Sequence, residues 1–321
     1  MEDEYFISPP TSSTTFCAVF DGHGGSKVSK FLKEKLYKRF VKDLMKGMKE
    51  KGEIIEEEME GCEDEIQLSP SKSTAITALN SAFTHTNSEV MKVTRWSHQG
   101  STAVVCYVHT DPSTKKSTLI TGNVGDSRAV LSRDGKAIDA SKDHKPNDKR
   151  ERERIEKLGG KVSWYGYRDK HGRPIPGSGV YRINGNLAVA RAIGDRSESP
   201  FVSSAVEVLS LDLDSEVDQF VIVASDGLWD VMSSQEAVTF VNDMMRGGVG
   251  ALPKGGKGGK GKGTRPASIR ISDWTTNHSD DRVIIRSALS KRKKFMAKFL
   301  VEEAMRRGSS DNTCVVILWL K

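Results

Sequence analysis

Cysteine is scarce: four residues in 321, at Cys17, Cys62, Cys106 and Cys314, with no C-x-x-C pair and no histidine at metal-ligand spacing. That pattern argues against a zinc site. Three of the four lie in apolar, strand-like runs, where a reduced thiol behaves as a small hydrophobe. Long apolar runs are missing too. The longest, Val315 to Leu320, falls far short of the ~18 residues that a membrane-spanning helix needs. The start, Met1-Glu2-Asp3-Glu4, is acidic where a secretion signal has a basic stretch followed by an apolar one. A cytoplasmic and/or nuclear location is therefore expected. The net charge is only +6, from 49 basic and 43 acidic residues, so its distribution matters more than its sum.

Apolar residues are themselves somewhat scarce at 36%, and the shortage is local. Glu50 to Glu65 holds nine acidic residues and one lysine, an acidic surface insertion at about residues 49–72. Arg246 to Arg270 holds seven basic residues, nine glycines and no acid, within a second insertion at about 246–290. A segment so rich in glycine can neither hold a helix nor bury a core. The remainder has an ordinary globular composition. One domain over residues 1–321 with two insertions is expected, rather than two domains.

Helical periodicity begins after Gly24-Gly25, where Val28, Phe31, Leu32, Leu36, Phe40, Leu44 and Met48 form one stripe. Further helices are expected over about Thr74–Val90, Asn147–Leu158, Ser234–Met245 and Lys294–Arg306. Strand-like runs are Phe16–Phe20, Thr102–Val108, Ser117–Thr121, Ser127–Leu131, Gln219–Ala224 and Cys314–Leu320. Several follow one another as hairpins, with Asp134-Gly135 as a turn, while the long helices come in separate blocks. That order predicts an α+β layered fold with antiparallel sheets.

Three strands share a further feature. Phe16–Phe20 runs into Asp21-Gly22-His23, Phe220–Ser225 runs into Asp226-Gly227, and Asp311 stands just ahead of the last strand. If these strands are neighbours, the carboxylates converge, and two bare charges ~4 Å apart repel by ~4 kcal/mol at an effective dielectric near 20. Such a cluster needs a cation. Oxygen ligands without cysteine or clustered histidine select hard ions, so Mg²⁺ or Mn²⁺ is expected. Glycine after the ligating aspartate lets a backbone carbonyl approach the ion. Asp126 is a fourth candidate, with the alternative that Asp126 and Arg128 are a turn residue and an edge-strand charge. Two ions ~3.5–4 Å apart can lower the pKa of a shared water and aim it at phosphorus. Phosphate-ester hydrolysis follows as the reaction class. His23 is placed to protonate the departing oxygen, the alternative being a surface or capping role.

The segments Phe16-Cys-Ala-Val-Phe-Asp-Gly-His-Gly-Gly25, Gly100-Ser-Thr-Ala103, Gly122-Asn-Val-Gly-Asp-Ser-Arg-Ala129, Asp143-His-Lys-Pro146, Glu156-Lys-Leu-Gly-Gly160, Leu187-Ala-Val-Ala-Arg-Ala-Ile-Gly-Asp195, Ala224-Ser-Asp-Gly-Leu-Trp-Asp230 and Gly308-Ser-Ser-Asp-Asn312 resemble the successive motifs of the metal-dependent type 2C protein serine/threonine phosphatases. The order is that of the family, across nearly the whole chain. The resemblance implies a four-layer α-β-β-α sandwich, two antiparallel sheets flanked by antiparallel helices, with two Mg²⁺ or Mn²⁺ ions in the cleft. It implies that Asp21 bridges both ions and that the Gly22 carbonyl binds one. Asp226 and Asp311 would bind the other, with Asp230 acting directly or through water. Asp126 with Asp226 would hold a third, weaker ion. Glu2 and Asp3 resemble the family's N-terminal acidic pair, and His23 its general acid. Residues 163–181 correspond to the flap beside the cleft. The family carries a further strand ahead of the acidic pair, with an arginine that clamps the phosphate. The sequence starts at Met1, so a shortened version of a longer protein is expected, the alternative being that another cation such as Arg191 substitutes for the clamp.

The implied partners are phosphorylated proteins, and a monomer is expected. A second reading, from another class, is a phosphatase-like protein with impaired turnover that binds phosphorylated partners. Arg246–Arg270 and Lys291-Arg-Lys-Lys294 raise a third, nucleic-acid binding. No aromatic residue interleaves the Gly/Lys segment, so stacking on bases has no support there and no specific nucleic acid is expected.

Overall fold

Every residue from Phe16 to Phe20 is buried, and the two-residue period of a strand splits them between two cores. Phe16, Ala18 and Phe20 pack with the helical residues Leu32, Leu36 and Phe40. Cys17 and Val19 pack with Val104, Cys106, Val221 and Val223. A strand covered on both faces needs a layer on each side. The computed structural model, which describes residues 1–9, 13–53, 70–111, 114–246 and 282–320, supplies both.

The N-terminal half comprises β1 (Glu4–Ile7), β2 (Thr14–Phe20), β3 (Gly22–His23), α1 (Lys27–Glu50), α2 (Lys72–Met91), β4 (Gly100–Ser101), β5 (Ala103–Thr110), β6 (Ser117–Val124), β7 (Arg128–Arg133) and β8 (Lys136–Asp139). There follow α3 (Lys149–Lys157), β9 (Val162–Arg168), β10 (Pro174–Ile183), β11 (Ile193–Gly194), β12 (Glu207–Leu213), β13 (Asp218–Ala224), α4 (Asp226–Trp229), α5 (Ser234–Arg246), α6 (Arg282–Arg306) and β14 (Val315–Trp319). One sheet has the order β1-β2-β5-β6-β12 and the other β14-β13-β7-β8. Every pairing within them is antiparallel. Helices α1 and α2 cover the outer face of the first sheet. Helices α5 and α6 cover that of the second, through Val238, Val241, Met296 and Leu300 against Phe220 and Ile222. The expected four-layer α-β-β-α sandwich is the fold observed. Among the described residues no helix is long and apolar enough to cross a membrane.

Local chemistry explains the element ends. The stripe Val28, Leu32, Leu36, Phe40, Leu44 and Met48 is buried along α1, and each such side chain contributes about 1.5–3 kcal/mol on burial. Ser71 caps α2 by accepting from the Thr74 amide at 3.2 Å. Asp134 (φ 49°) and Gly135 (φ 75°) both take positive φ, as a two-residue hairpin between β7 and β8 demands. Cys17, Cys106 and Cys314 are free and buried, whereas Cys62 lies outside the described residues.

Three elements differ from the sequence expectation. Helix α6 starts at Arg282, not near Lys294, and so takes in the last residues of the expected insertion at about 246–290. The run Lys291–Lys294 reads as solvated charge, yet Arg292 is buried and donates to the Met244 carbonyl at 3.1 Å, while Lys293 lies over the Trp319 ring. Long aliphatic stems let basic residues line a helix interface. Strands β1 and β12 are the edges of the five-stranded sheet. Both are half exposed and mix acids with apolar residues, which weakens their signal. Most of both insertions lies outside the described residues; the flap segment forms the β9–β10 hairpin.

Candidate metal centre

The carboxylates sit where strands stop. Asp21 follows β2, Asp226 opens α4 just beyond β13, Asp3 precedes β1, Asp126 lies between β6 and β7, and Asp311 precedes β14. The two sheets pack through β2, β5, β7, β13 and β14, so these ends meet at one edge of the sandwich. Backbone and hydroxyl bonds fix the first two. The Thr102 amide donates to the Asp21 carbonyl at 2.8 Å, and the Asp21 amide donates to Thr102 Oγ1 at 3.2 Å. Ser225 Oγ donates to Asp3 Oδ2 at 2.9 Å and accepts from the Cys314 amide at 2.9 Å, tying the N-terminal segment to β13 and β14.

Two glycines permit the convergence. A Cβ on Gly22 would lie 2.7 Å from both the Glu2 carbonyl and Ser29 Oγ. Bare backbone there lets the Glu2-Asp3 segment pass, held by Ser29 Oγ donating to the Glu2 carbonyl at 2.5 Å. A Cβ on Gly227 would collide with the Asn312 carbonyl. Both positions reflect close approach rather than a special φ.

Electrostatics show what gathers here. Burial pushes the Asp21 carboxyl up to about 10, helped by the charges of Asp226, Asp3 and Asp126. Burial raises Asp226 to about 7, with Asp126, Asp230 and Asp311 adding and Lys145 opposing. Asp126 rises to about 6, again by burial first, with Lys145 opposing. Asp3 is raised by burial against the stabilising bond from Ser225. Like charges crowded out of water account for every one of these shifts. Asp3 Oδ1 and Asp226 Oδ1 are buried with no hydrogen-bond partner. Orphaned carboxylate oxygens in a self-repelling set are what a hard cation would satisfy. Among the described residues no group of three or more His, Cys, Asp or Glu side chains is arranged to hold a metal ion as it stands. The site is a convergence of acids that an ion would have to draw in.

His23 stands beside this cluster. Its Nε2 lies 2.7 Å from Asp195 Oδ2, and its ring is one quarter exposed. Burial disfavours the imidazolium, but the Asp195 bond and charge, with Asp126 and Glu2, raise the pKa above its ordinary value. Gly100 makes the pair possible: a Cβ there would strike Asp195 and sit 2.5 Å from His23 Nε2.

A family model described as protein phosphatase 2C matches residues 1–249. The chain belongs to the protein phosphatase 2C family. It is 33% identical over 307 residues to a probable protein phosphatase 2C 69 of Arabidopsis thaliana, covering 94% of this chain and 61% of that protein. It is 31% identical over 307 residues to a probable protein phosphatase 2C 59 of Oryza sativa, covering 94% and 66%. The chain thus spans about two thirds or less of these relatives' length. Two solved structures share the fold. A sex-determining protein of Caenorhabditis elegans has a TM-score of 0.67 at 22% identity, covering 100% of this chain and 61% of that one. A serine-threonine phosphatase 2C from Toxoplasma gondii has a TM-score of 0.57 at 18% identity, covering 99% and 90%.

On this type 2C scaffold the residues singled out from sequence fall into three groups. Asp3, Asp21, Asp126 and Asp226 lie in the cluster, with Gly22 and Glu2 beside them and Asp311 and Asp230 on its exposed side. His23 adjoins it. Arg191 points elsewhere, where its Nε and Nη2 bind Glu151 Oε1 at 2.9 and 2.5 Å and its Nη1 donates to the Ala205 carbonyl. A buried Glu151 needs that partner, and the guanidinium is engaged there rather than with the carboxylate cluster. Two residues carry no role in the sequence reading. Asp195 and Lys145 both lie in motifs recognised there, but their contacts, His23 for one and Asp126 with Asp230 for the other, exist only in three dimensions.

Proposed function

We propose that this chain hydrolyses phosphoserine and phosphothreonine in proteins, using Mg²⁺ or Mn²⁺ held by the carboxylate cluster. The observation that carries the reading is the set of buried, mutually repelling aspartates with two orphaned oxygens, on a type 2C fold. Asp21, the Gly22 carbonyl, Asp226 and Asp311, with Asp230 acting directly or through water and Glu2 and Asp3 behind them, would hold two ions; Asp126 with Asp226 would hold a third, weaker one. When bound, such a pair supplies a water of lowered pKa in line with phosphorus and stabilises developing charge on the phosphoryl oxygens.

The chain's own residues do the rest. Asp195 Oδ2 fixes His23 Nε2 and favours the protonated ring. Nδ1 is left as the nitrogen that gives its proton to the departing serine or threonine oxygen. The β9–β10 hairpin exposes Tyr165, Tyr167 and Val180, which would offer apolar contacts to the peptide flanking the phosphate.

Mn²⁺-dependent phosphate release from a phosphothreonine peptide, abolished by chelator and restored by metal, is the expected result. Undiminished turnover in Asp21→Ala or Asp226→Ala would refute the site. The commitment of Arg191 to Glu151 favours a second reading, a protein that binds phosphorylated partners with little turnover. Tight phosphopeptide binding without phosphate release would select it.

A further inference from the structure

Lys145 is unlike the other surface lysines. It lies in the loop between β8 and α3, and that loop is pinned to the loop carrying Asp126. The neighbouring His144 is buried; its amide donates to the Gly125 carbonyl at 2.9 Å, and its Nδ1 accepts from the Gly125 amide at 3.2 Å. Asn123 Nδ2 ties the same two loops by donating to the Gly125 and Lys142 carbonyls at 3.1 and 2.7 Å. Lys145 Nζ is thereby held 3.2 Å from Asp230 Oδ1 and 3.9 Å from Asp126 Oδ2. Its third acidic neighbour, Asp143, is committed to Arg128 through bonds of 2.9 and 2.7 Å. Burial works against the lysine's charge, yet the three carboxylates raise its pKa above the ordinary value. Lys145 is also the cation that lowers the cost of ionising Asp126 and Asp226.

We propose that the Lys145 ammonium is a built-in counter-ion of the outer carboxylates, which a divalent cation must displace from Asp126 and Asp230 before it can bind there. An ammonium and a hard metal ion compete for the same oxygens, and one positive charge next to the site disfavours arrival of another. The lysine thus acts most directly on the weakest ion, through Asp126, while the inner ligand Asp226 feels its charge more weakly. It keeps the outer acids neutralised when divalent metal is scarce. The inference rests on the metal-centre reading above, and its test separates the two.

Metal-free wild type, Lys145→Gln and Lys145→Arg are titrated with Mn²⁺ by calorimetry, with free Mn²⁺ followed by electron paramagnetic resonance. Melting curves check that each variant folds. Lys145→Gln is expected to tighten the weakest Mn²⁺ step by about tenfold, or about 1.4 kcal/mol, with the tighter steps changed less. Lys145→Arg retains the charge and is expected to stay near wild type. Asp126→Asn is expected to remove the weak step. An unchanged or weakened outer step in Lys145→Gln overturns the proposal. So does equal tightening in Lys145→Arg, which would make the effect steric. A higher KM for a phosphopeptide with an unaltered Mn²⁺ isotherm would assign Lys145 to substrate phosphate instead, and overturn it as well. If Asp21→Asn leaves every Mn²⁺ step intact, the metal centre itself is refuted and the proposal falls with it; if Asp21→Asn abolishes the tight steps, only the role of Lys145 is at stake.

Discussion

Asp3 and Glu151 are equally hidden from water, at 5% and 3% exposure, yet their surroundings have opposite sense. Glu151 lies among Arg191 and Arg154, which bind both of its oxygens. Burial alone would raise its pKa, but the two guanidinium groups more than offset this and hold it below the ordinary carboxylate range. Asp3 has one oxygen on Ser225 and the other on nothing, among Asp21, Asp226 and Asp311. The difference teaches that a buried acid is not by itself a sign of function. Glu151 carries its cations within the chain and stabilises the packing of α3 against the Ala190–Ala205 segment. Among the described residues the aspartate cluster has Lys145 on its outer edge and the N-terminal ammonium near Asp3, fewer cations than carboxylates, which is why a cation from solution would suit the inner ones.

The sharpest way to break this contrast is to neutralise an inner aspartate. Asp21→Asn is expected to weaken Mn²⁺ binding by at least about 100-fold, since even residues behind the ligands of a metal site cost 10–100-fold. The same change should leave the metal-free fold as stable as wild type or more so, because it removes a repelling charge. Calorimetry and thermal melts read the two effects separately. A variant with lost metal affinity and a collapsed melting temperature would place Asp21 with Glu151, as a structural acid.

Glu151→Gln is the mirror experiment. Removing one partner of a buried ion group leaves Arg191 and Arg154 without their counter-charge, at a cost of about 3 kcal/mol. Denaturant unfolding should show that loss, while the Mn²⁺ isotherm stays unchanged. A shifted isotherm would mean that the two clusters communicate, and the comparison would fail.

How much of the molecule is legible in the chain follows the same line. The strands that end at Asp21 and Asp226 are readable because burial on both faces makes five residues in a row apolar, and a carboxylate at the end of such a run stands out against it. The edge strands β1 and β12 carry half-exposed, mixed patterns and give no such signal. Arg191 reads as a spare cation because nothing in the chain order ties it to Glu151, 40 residues away. Asp195 is 172 residues from His23, and Lys145 is 85 from Asp230; which charge meets which is decided by loop packing around glycines such as Gly100 and Gly125. The basic stretch inside α6 misleads for a simpler reason, since charge suggests exposure and Arg292 is buried.

The test that probes both clusters in a single curve is the pH dependence of stability without metal. Asp21, Asp226 and Asp126 have folded-state pKa values raised from 3.8 to about 10, 7 and 6. Between the ordinary value and each raised one, the folded chain holds a proton that the unfolded chain has released. Stability therefore falls as pH rises, most steeply from 3.8 to about 6, where all three contribute, less steeply to about 7 through Asp226 and Asp21, and more gently up to about 10 through Asp21 alone. Glu151 acts in the opposite direction. Its pKa is depressed, so its contribution is full above the ordinary value of 4.5 and is lost as pH falls below it. The metal-free protein should be most stable near the crossing of these two trends, at mildly acidic pH. Saturating Mn²⁺ should abolish the decline on the alkaline side and leave the acid limb in place, because only the aspartates take up the ion. Melting temperatures across about pH 4 to 9, with chelator and with Mn²⁺, check this; a metal-free curve that is flat above about pH 5 would mean that the aspartates ionise freely and do not face one another.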